Sequence, residues 1–328
     1  MKYKEEKQKN RVIGVDISKK ITTLAIVDIR GNIIAERSFD TSQYPASDDF
    51  VRRLCKDIIT LTDENGGYES IRSIGVSVPS GSYVTGNVTD PPNLPWKGVT
   101  PLAPMLRDQL GIAVALGNDA HVAAWGEYVY GSAHGMKDFV LITIGEGVGS
   151  CFFSRGQEHL GYAGMSGEVG HTCVIDHGRR CGCGQEGCLE AYAGAQGIVN
   201  TAHELLDGSS TPSMMRHAEL LTPLFIKECC DKGDELAIKV YQQTAYLLGI
   251  SLANYAAIVN PQSIILTGGI SHAGKWLMEP LCESFESHIM TGMRGKVKII
   301  VSQLNNHERD VLGASVLAWQ VEEYSLFK

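Results

Sequence analysis

One pattern of predicted strands and turns occurs twice in this chain of 328 residues. The strands of the first copy are predicted at residues 11–17, 22–28 and 33–39. Those of the second copy, about 126 residues further on, are predicted at 139–144 and 150–153. A turn follows in each copy, at residues 30–32 and 155–157. An internal duplication of this kind restricts the chain to folds built from two related α/β halves.

The rest of the chain alternates helices with strands, which is typical of an α/β fold. The predicted helices lie at residues 48–63, 120–129, 194–206, 220–231 and 235–259, and after Asp310. Further strands are predicted at residues 73–78, 112–116, 263–267 and 297–302. We expect a small N-terminal lobe of residues 1–119, a larger lobe of residues 120–307, and a last helix, 308–328, that packs back on the first lobe.

The composition excludes several classes of protein. Charged residues make up 20% of the chain, and no apolar run approaches the length of about 18 residues that a membrane-spanning helix needs. The net charge of −8 argues against direct binding to nucleic acid, which requires a basic surface. Residues 1–10 are rich in lysine and glutamate and carry no apolar segment of a secretory signal, so we expect a cytoplasmic protein.

The nine cysteines are unevenly distributed along the chain. Cys181, Cys183 and Cys188 lie close together, and His171 precedes them. An odd number of cysteines without a secretory signal is typical of reduced thiols rather than of a disulfide framework. Three thiolates and one imidazole suit the tetrahedral coordination of Zn²⁺, and the glycines between the cysteines allow a tight wrap. The sequence therefore predicts a structural zinc site.

Two longer motifs resemble the signatures of the ROK family of bacterial sugar kinases and sugar-responsive repressors. They are Gly-Glu-Val-Gly-His at residues 167–171 and Cys-Gly-Cys-Gly-Gln-Glu-Gly-Cys-Leu-Glu at residues 181–190. Residues 117–120 and 266–270 are also similar to family motifs, and residues 91–96 are similar to the sugar-side loop of its glucokinase-like members. The resemblance extends from Val12 over essentially the whole chain.

The resemblance implies the actin-like ATPase fold. This α/β architecture has two ribonuclease-H-like lobes, with sugar and nucleotide in the cleft between them. It agrees with the duplicated strand pattern, which was inferred from periodicity alone. The resemblance also implies a homodimer.

The resemblance further implies roles for particular residues. Asp119 corresponds to the catalytic base that accepts the proton of a sugar hydroxyl during attack on the γ-phosphate of ATP, with Mg²⁺ bound. The residues expected to bind a hexose or an N-acetylhexosamine are Asn93, Asn118, Asp119, Glu168, His171 and Glu190. Those expected on the nucleotide side are Asp16, Gly145, Gly147, Gly268 and Gly269. His171 would bind zinc with one ring nitrogen and sugar with the other.

Simpler explanations exist for some of these residues when each is taken alone. An Asn-Asp pair before a helix, such as Asn118-Asp119, is also a common N-cap. Glu168 and Glu190 are also of the type that covers a solvated surface. Their joint spacing with the predicted zinc ligands favours the sugar site.

The predicted phosphate loops depart from the family pattern. Kinases of the family carry a motif similar to Asp-x-Gly-Gly-Thr, where residues 16–20 here are Asp-Ile-Ser-Lys-Lys. Their second loop is similar to Gly-Thr-Gly-x-Gly, and here Glu146 replaces the hydroxyl residue. Two like charges 4 Å apart repel by about 4 kcal/mol at an effective dielectric constant of 20. An uncompensated Glu146 would therefore weaken ATP binding about a thousandfold.

Three arrangements of these charges are open. Lys19 or Lys20 neutralises a phosphate directly as a point charge. Alternatively, Lys20 pairs with Glu146, and the pair occupies the phosphate site. In the third arrangement the side chains are solvated, and ATP binds through Gly268, Gly269 and magnesium.

Two functions therefore remain open. An ATP-dependent hexose kinase is favoured by Asp119 and the sugar-binding set. A catalytically impaired sugar sensor or regulator is favoured by the altered phosphate loops. A DNA-binding repressor is disfavoured, because only ten residues precede the first predicted strand, fewer than a helix-turn-helix motif needs.

Overall fold

The structure is a computed structural model that describes residues 9–91 and 93–321. Each copy of the repeated pattern belongs to its own five-stranded mixed sheet. The first sheet lies in unit 1, which comprises the described residues up to His134 and those from Leu304 onward. The second sheet lies in unit 2, Gly135–Gln303.

An antiparallel meander extended by two parallel strands forms the sheet of unit 1. The strands of this part of the chain are β1 (Arg11–Ile17), β2 (Ile21–Asp28), β3 (Ile33–Asp40), β4 (Ile71–Ser77), β5 (Val88–Thr89), β6 (Val99–Thr100) and β7 (Ala113–Gly117). The sheet order is β3-β2-β1-β4-β7, and β5 pairs with β6 separately. β2 is antiparallel to β1 and β3, whereas β4 is parallel to β1 and β7. The helices that accompany these strands are α1 (Ser47–Glu64), α2 (Leu102–Leu110) and α3 (Asp119–Tyr130).

The apolar residues of β1 are buried on both faces of the sheet, as expected for a strand between parallel and antiparallel neighbours that is covered on both sides. Ile13 and Val15 pack into a core that contains the apolar face of α1, including Phe50. Val12 points to the opposite face and packs against Val311. The period of two along the strand therefore divides one apolar run between two cores.

The sheet of unit 2 has the same plan. Its strands are β8 (Phe139–Ile144), β9 (Val148–Ser154), β10 (Gln157–Glu158), β11 (Ser263–Thr267) and β12 (Lys298–Val301), in the order β10-β9-β8-β11-β12. β8 to β10 form the meander, and β11 is parallel to β8 and β12. The helices of this unit are α4 (Glu190–Ala193), α5 (Ala195–Asp207), α6 (Pro223–Asp231), α7 (Glu235–Val259) and α8 (Lys275–His288). Strand order and direction are thus identical in the two units, as the repeat predicted.

The last helix, α9 (Asn306–Gln320), belongs to unit 1, where it packs on β1, β4 and α3. The chain therefore returns to its first unit in the structure. The units divide between His134 and Gly135, later than the break expected after Asp119, and unit 1 resumes at Leu304 rather than at residue 308. The reason is that α3, the predicted first helix of the larger lobe, packs against α9.

Most predicted helices and strands are present, with ends shifted by a few residues. The helix predicted from residue 220 begins at Pro223, where the Thr222 hydroxyl accepts a hydrogen bond from the backbone N–H of Phe225 at 3.1 Å. In the described part of the chain, no helix is both long enough and apolar enough to cross a membrane.

A close approach between Gly75 and α9 generates a stability prediction. A Cβ atom at Gly75 in β4 would lie 1.8 Å from the carbonyl oxygen of Ala314, so the strand or the helix would have to move. We expect Gly75→Ala to lower the free energy of unfolding by about 3 kcal/mol, measured by denaturant titration. Gly292→Ala is the control, because its Cβ would meet only a Met290 side-chain atom at 3.7 Å. Equal losses in the two variants would contradict this account of the packing.

Candidate active site and metal-ligand cluster

Asn118 and Asp119 lie where β7 ends and α3 begins. Asn118 is the N-cap, and its side-chain oxygen accepts a hydrogen bond from the backbone N–H of Ala120 at 3.0 Å. Asp119 Oδ1 accepts from the same N–H at 2.8 Å. The N-cap interpretation is therefore confirmed for Asn118. It does not compete with a functional role for Asp119, because that side chain remains exposed.

The parallel strands of unit 1 bring Asp16 to the same sheet edge as Asp119. Asp16, near the end of β1, pairs with Ser77 in β4, and Ser77 pairs with Gly117 at the end of β7. The carboxyl ends of parallel strands are where open α/β sheets commonly bind ligands. Residues from distant parts of the sequence thus converge on one edge of the sheet.

The electrostatic environment of this edge is unfavourable for free carboxylates. Desolvation, followed by the negative charge of Asp310, raises the pKa of Asp16 to about 8, and Arg309 opposes the shift. The protein atoms around Asp119 raise the pKa of its carboxyl by desolvation, although the side chain is exposed. A bound proton or cation would relieve both effects, so Asp16 could hold Mg²⁺ and Asp119 could accept a proton.

Arg309 and Asp310 were missed by the sequence analysis. Both lie near the start of α9, far along the chain from the residues that they influence. No motif marks them, and only the return of α9 to unit 1 brings their charges close to Asp16.

Asn93 lies in the loop between β5 and β6, where its side chain is exposed. The neighbouring side chains Leu94 and Trp96 anchor the loop, since both are buried and the Trp96 ring lies 4.9 Å from that of Phe50. Asp90 Oδ1 accepts a hydrogen bond from the backbone N–H of Gly98 at 2.7 Å. These contacts hold the described residues of the loop in place and leave Asn93 exposed at the surface.

The four predicted metal ligands of unit 2 come together. One potential ligand atom from each of His171, Cys181, Cys183 and Cys188 lies within 4.8 Å of all the others. The sulfur atoms of Cys183 and Cys188 are 3.7 Å apart, close to the spacing of about 3.8 Å expected for two sulfurs at 2.3 Å from a tetrahedral zinc ion. Burial raises the pKa of the Cys188 thiol to about 12, so its thiolate needs a nearby cation. The donor set fits a tetrahedral metal ion.

The two ring nitrogens of His171 face different partners. Nδ1 lies 3.6 Å from Cys181 Sγ, within the metal-ligand cluster. Nε2 lies 4.0 Å from the carboxylate of Glu168, whose side chain is exposed. This division is the one that a histidine shared between a metal and a second ligand requires.

Glu190 is the first residue of α4 and contacts the glycine loop of residues 145–148, which joins β8 to β9. Its Oε2 accepts a hydrogen bond from the backbone N–H of Val148 at 2.9 Å, and its Oε1 lies 3.8 Å from Cys181 Sγ. Glu190 is therefore not an isolated surface acid, because both of its carboxylate oxygens have neighbours within unit 2.

Within the glycine loop, the backbone N–H of Gly145 donates a hydrogen bond to the carbonyl oxygen of Gly147 at 2.9 Å. The Glu146 side chain is exposed. Beyond the neighbouring strand β11, Gly268 adopts a φ of 87°, and Gly269 begins a short 3-10 helix. Gly145, Gly147, Gly268 and Gly269 thus lie in loops that follow the parallel strands of this sheet.

The loop between β1 and β2 is a tight turn that Ser18 closes. The Ser18 hydroxyl donates to the carbonyl oxygen of Ile21 at 2.8 Å, and the Ser18 N–H donates to the same oxygen at 3.2 Å. Lys19 and Lys20 are exposed, and neither has a positive φ. Glycine is therefore not needed for this turn, so the loss of the family glycines changes its charge and bulk more than its backbone path.

The chain is similar to known proteins along almost its whole length. The model of the ROK family matches residues 12–321. The chain is 30% identical to the glucokinase of Halalkalibacterium halodurans over 321 residues, which covers 94% of this chain and 95% of that protein. It is 28% identical to the N-acetylmannosamine kinase of Citrobacter koseri over 309 residues, with 93% and 98% covered.

The structure is similar to that of a ROK family glucokinase from Streptomyces griseus in complex with glucose and AMPPNP. The TM-score is 0.77 at 27% identity, and the match covers 95% of this chain and 100% of the other. The α/β prediction is thereby confirmed at the level of the fold that ROK sugar kinases share. A family model that spans nearly the whole chain, with relatives matched along almost their full length, shows that this chain belongs to the ROK family.

Proposed function

We propose that this chain is a sugar kinase that transfers the γ-phosphate of ATP to a hydroxyl group of a hexose or an N-acetylhexosamine. The observation that carries the proposal is Asp119, an accessible carboxylate with a raised pKa at the carboxyl edge of three parallel strands. The similarity to glucokinases and to an N-acetylmannosamine kinase supports this substrate class.

In the proposed reaction, Asp119 accepts the proton of the attacking sugar hydroxyl. Its raised pKa makes the carboxylate a stronger base near neutral pH than an ordinary aspartate. The hydrogen bond from Ala120 holds one carboxylate oxygen in place. Positioning of this kind matters because phosphoryl transfer depends mainly on orientation and electrostatic stabilisation.

The remaining sugar contacts are proposed for Asn93, Asn118, Glu168, His171 and Glu190. The support for His171 and Glu168 is that Nε2 and the carboxylate lie 4.0 Å apart, a separation that one hydroxyl group could bridge with two hydrogen bonds. Glu190 retains acceptor capacity beside its bond to Val148, because a carboxylate accepts about four hydrogen bonds.

The nucleotide is proposed to bind with Mg²⁺ near Asp16, and through Gly145, Gly147, Gly268 and Gly269. When bound, Mg²⁺ neutralises the charge that develops on the transferring phosphate. The raised pKa of Asp16 supports a cation at that carboxylate. Glu146 opposes phosphate binding, so we propose that the altered loops weaken the activity without abolishing it.

Zinc is the metal that we propose for the cluster of His171 and the three cysteines. Four ligands fill a tetrahedral shell and leave no open position, so the ion would be structural. Zn²⁺ would fix the ring of His171 through Nδ1, which orients Nε2 for a sugar hydroxyl.

A catalytically impaired sugar sensor is the second candidate. The observation that favours it is the charge of the two phosphate loops, where Lys19, Lys20 and Glu146 are exposed in place of the family's small and hydroxyl residues. A sensor would use the same sugar contacts and would have no chemical need for a base at Asp119.

Turnover separates the two candidates. We expect the wild-type chain to release ADP from ATP with one or more members of a panel of hexoses and N-acetylhexosamines. Asp119→Asn should lower this rate by about 10²–10⁴-fold, because the amide cannot accept the proton, while sugar affinity measured by calorimetry changes little. Tight sugar binding with wild-type turnover no faster than that of Asp119→Asn would refute the kinase and support the sensor.

The metal proposal predicts a difference between two cysteine variants. Cys181→Ser should lose the metal and unfold at lower denaturant concentration, because the binding energy of a structural ion contributes to folding. Cys173→Ser is the matched control, since this exposed cysteine lies in the same segment but outside the cluster. Atomic spectrometry should find about one zinc per wild-type chain and per control chain. Equal metal content in all three proteins contradicts the ligand assignment.

The loop proposal predicts a gain of function. Lys20→Thr combined with Glu146→Thr should lower the KM for ATP and raise kcat/KM, by up to about a thousandfold if Glu146 is uncompensated. The two single variants show which charge is responsible. A double variant with the kinetic constants of the wild type would mean that ATP does not encounter these side chains.

A further inference from the structure

Glu190 connects two parts of unit 2 to which the proposed function gives separate tasks. One carboxylate oxygen, Oε2, accepts the Val148 N–H at 2.9 Å, and the other, Oε1, lies 3.8 Å from Cys181 Sγ. The side chain is half-buried. A side-chain oxygen that accepts a backbone N–H in such a place can determine where the loop sits, because a buried N–H that loses this bond is costly.

The same Glu190 carboxylate also lies beside Gly147. A Cβ atom at this position would lie 2.4 Å from Glu190 Oε2, so a larger residue here would displace the carboxylate. A second hydrogen bond joins the same two segments, from the Ala195 N–H to the Gly145 carbonyl oxygen at 2.9 Å. The chain around α4 therefore holds the glycine loop at both of its ends.

Val148 is also contacted from the histidine side of the metal-ligand cluster. A Cβ atom at Gly170 would lie 2.2 Å from the Val148 carbonyl oxygen, and Gly170 directly precedes His171. Glu190, which follows the last predicted metal ligand, thus contacts the N–H of Val148, and Gly170, which precedes the first, approaches its C=O.

We propose that Glu190 is a positioning residue that transmits the order of the metal-ligand cluster to the glycine loop. Metal binding holds Cys181 in place, and its sulfur, 3.8 Å from Oε1, limits the space open to the Glu190 carboxylate by contact, since a metal-bound thiolate donates no hydrogen bond. Glu190 in turn fixes the Val148 N–H and the path of the loop from Gly145 to Val148. The metal then supports phosphate binding as well as sugar binding. The part of this inference that concerns phosphate rests on the proposed function, whereas the coupling itself rests on the contacts of unit 2 alone.

Hydrogen exchange tests the first link. In Glu190→Ala, the amide of Val148 should exchange at least about tenfold faster, measured by mass spectrometry on peptides that span residues 144–150. Glu190→Asp keeps the charge but shortens the side chain, so the Val148 amide should exchange as fast as in Glu190→Ala. Glu190→Gln keeps an oxygen in reach and should stay close to wild type. Unchanged protection in both Glu190→Ala and Glu190→Asp overturns the proposal.

Glu186→Ala is the matched control for these variants. Glu186 lies in the same cysteine-rich segment, and its exposed carboxylate lies 3.4 Å from Arg180 rather than against the glycine loop. Exchange in the 144–150 peptides should therefore match wild type. Faster exchange in this control would mean that any disturbance of the segment loosens the loop, and it would refute a specific role for Glu190.

Metal removal tests the second link. Chelation of the wild-type protein should accelerate exchange in the 144–150 peptides, whereas chelation of Glu190→Ala should add little, because the connection is already broken. This non-additivity is the signature of a shared path. Equal acceleration by chelation in both proteins would show that the metal reaches the loop without Glu190.

Nucleotide binding tests the consequence for function. The affinity for a non-hydrolysable ATP analogue should fall about tenfold in Glu190→Ala and recover in Glu190→Gln, with saturating sugar present and absent. A wild-type chain that binds no nucleotide contradicts the proposed kinase but leaves the exchange results to decide the coupling. Normal nucleotide affinity in a Glu190→Ala variant with a loosened loop overturns the phosphate part of the inference.

Discussion

The parallel register of β1, β4 and β7 is the constraint on which the chemistry of unit 1 depends. It carries Asp16 and the residues after β7 to one edge of the sheet, although more than a hundred residues separate them in sequence. At that edge desolvation raises the pKa of both Asp16 and Asp119. The sheet thus creates a pair of carboxylates that favour a proton or a cation.

Unit 2 repeats the strand order but uses its loops differently. The loops after its parallel strands are rich in glycine, and its candidate metal ligands lie in the segment that contains His171 and the cysteines. Glu190 joins these features through Val148 and Cys181. The two units therefore share a scaffold but carry unlike side chains, because strand order fixes only where loops emerge and not which residues they contain.

The departures from the family pattern concern charge more than backbone geometry. The turn at Lys19 and Lys20 needs no positive φ, so its shape survives without glycine. Glu146 is exposed in a loop whose backbone is hydrogen-bonded at Gly145 and Gly147. The proposals of a weakened kinase and of a sensor therefore differ in the effect assigned to these exposed charges rather than in the loop backbone.

The sequence by itself predicted the repeat, most of the helices and strands, the residues of the metal-ligand cluster and the N-cap at Asn118. These features depend on periodicity and spacing over short stretches, which local patterns encode. Only the tertiary structure decided that α3 packs with α9 in unit 1 and that the charge of Asp310 raises the pKa of Asp16. The same holds for the hydrogen bond from the Val148 N–H to the Glu190 carboxylate. Each of these contacts joins segments distant in sequence, so its existence depends on the packing of the whole unit.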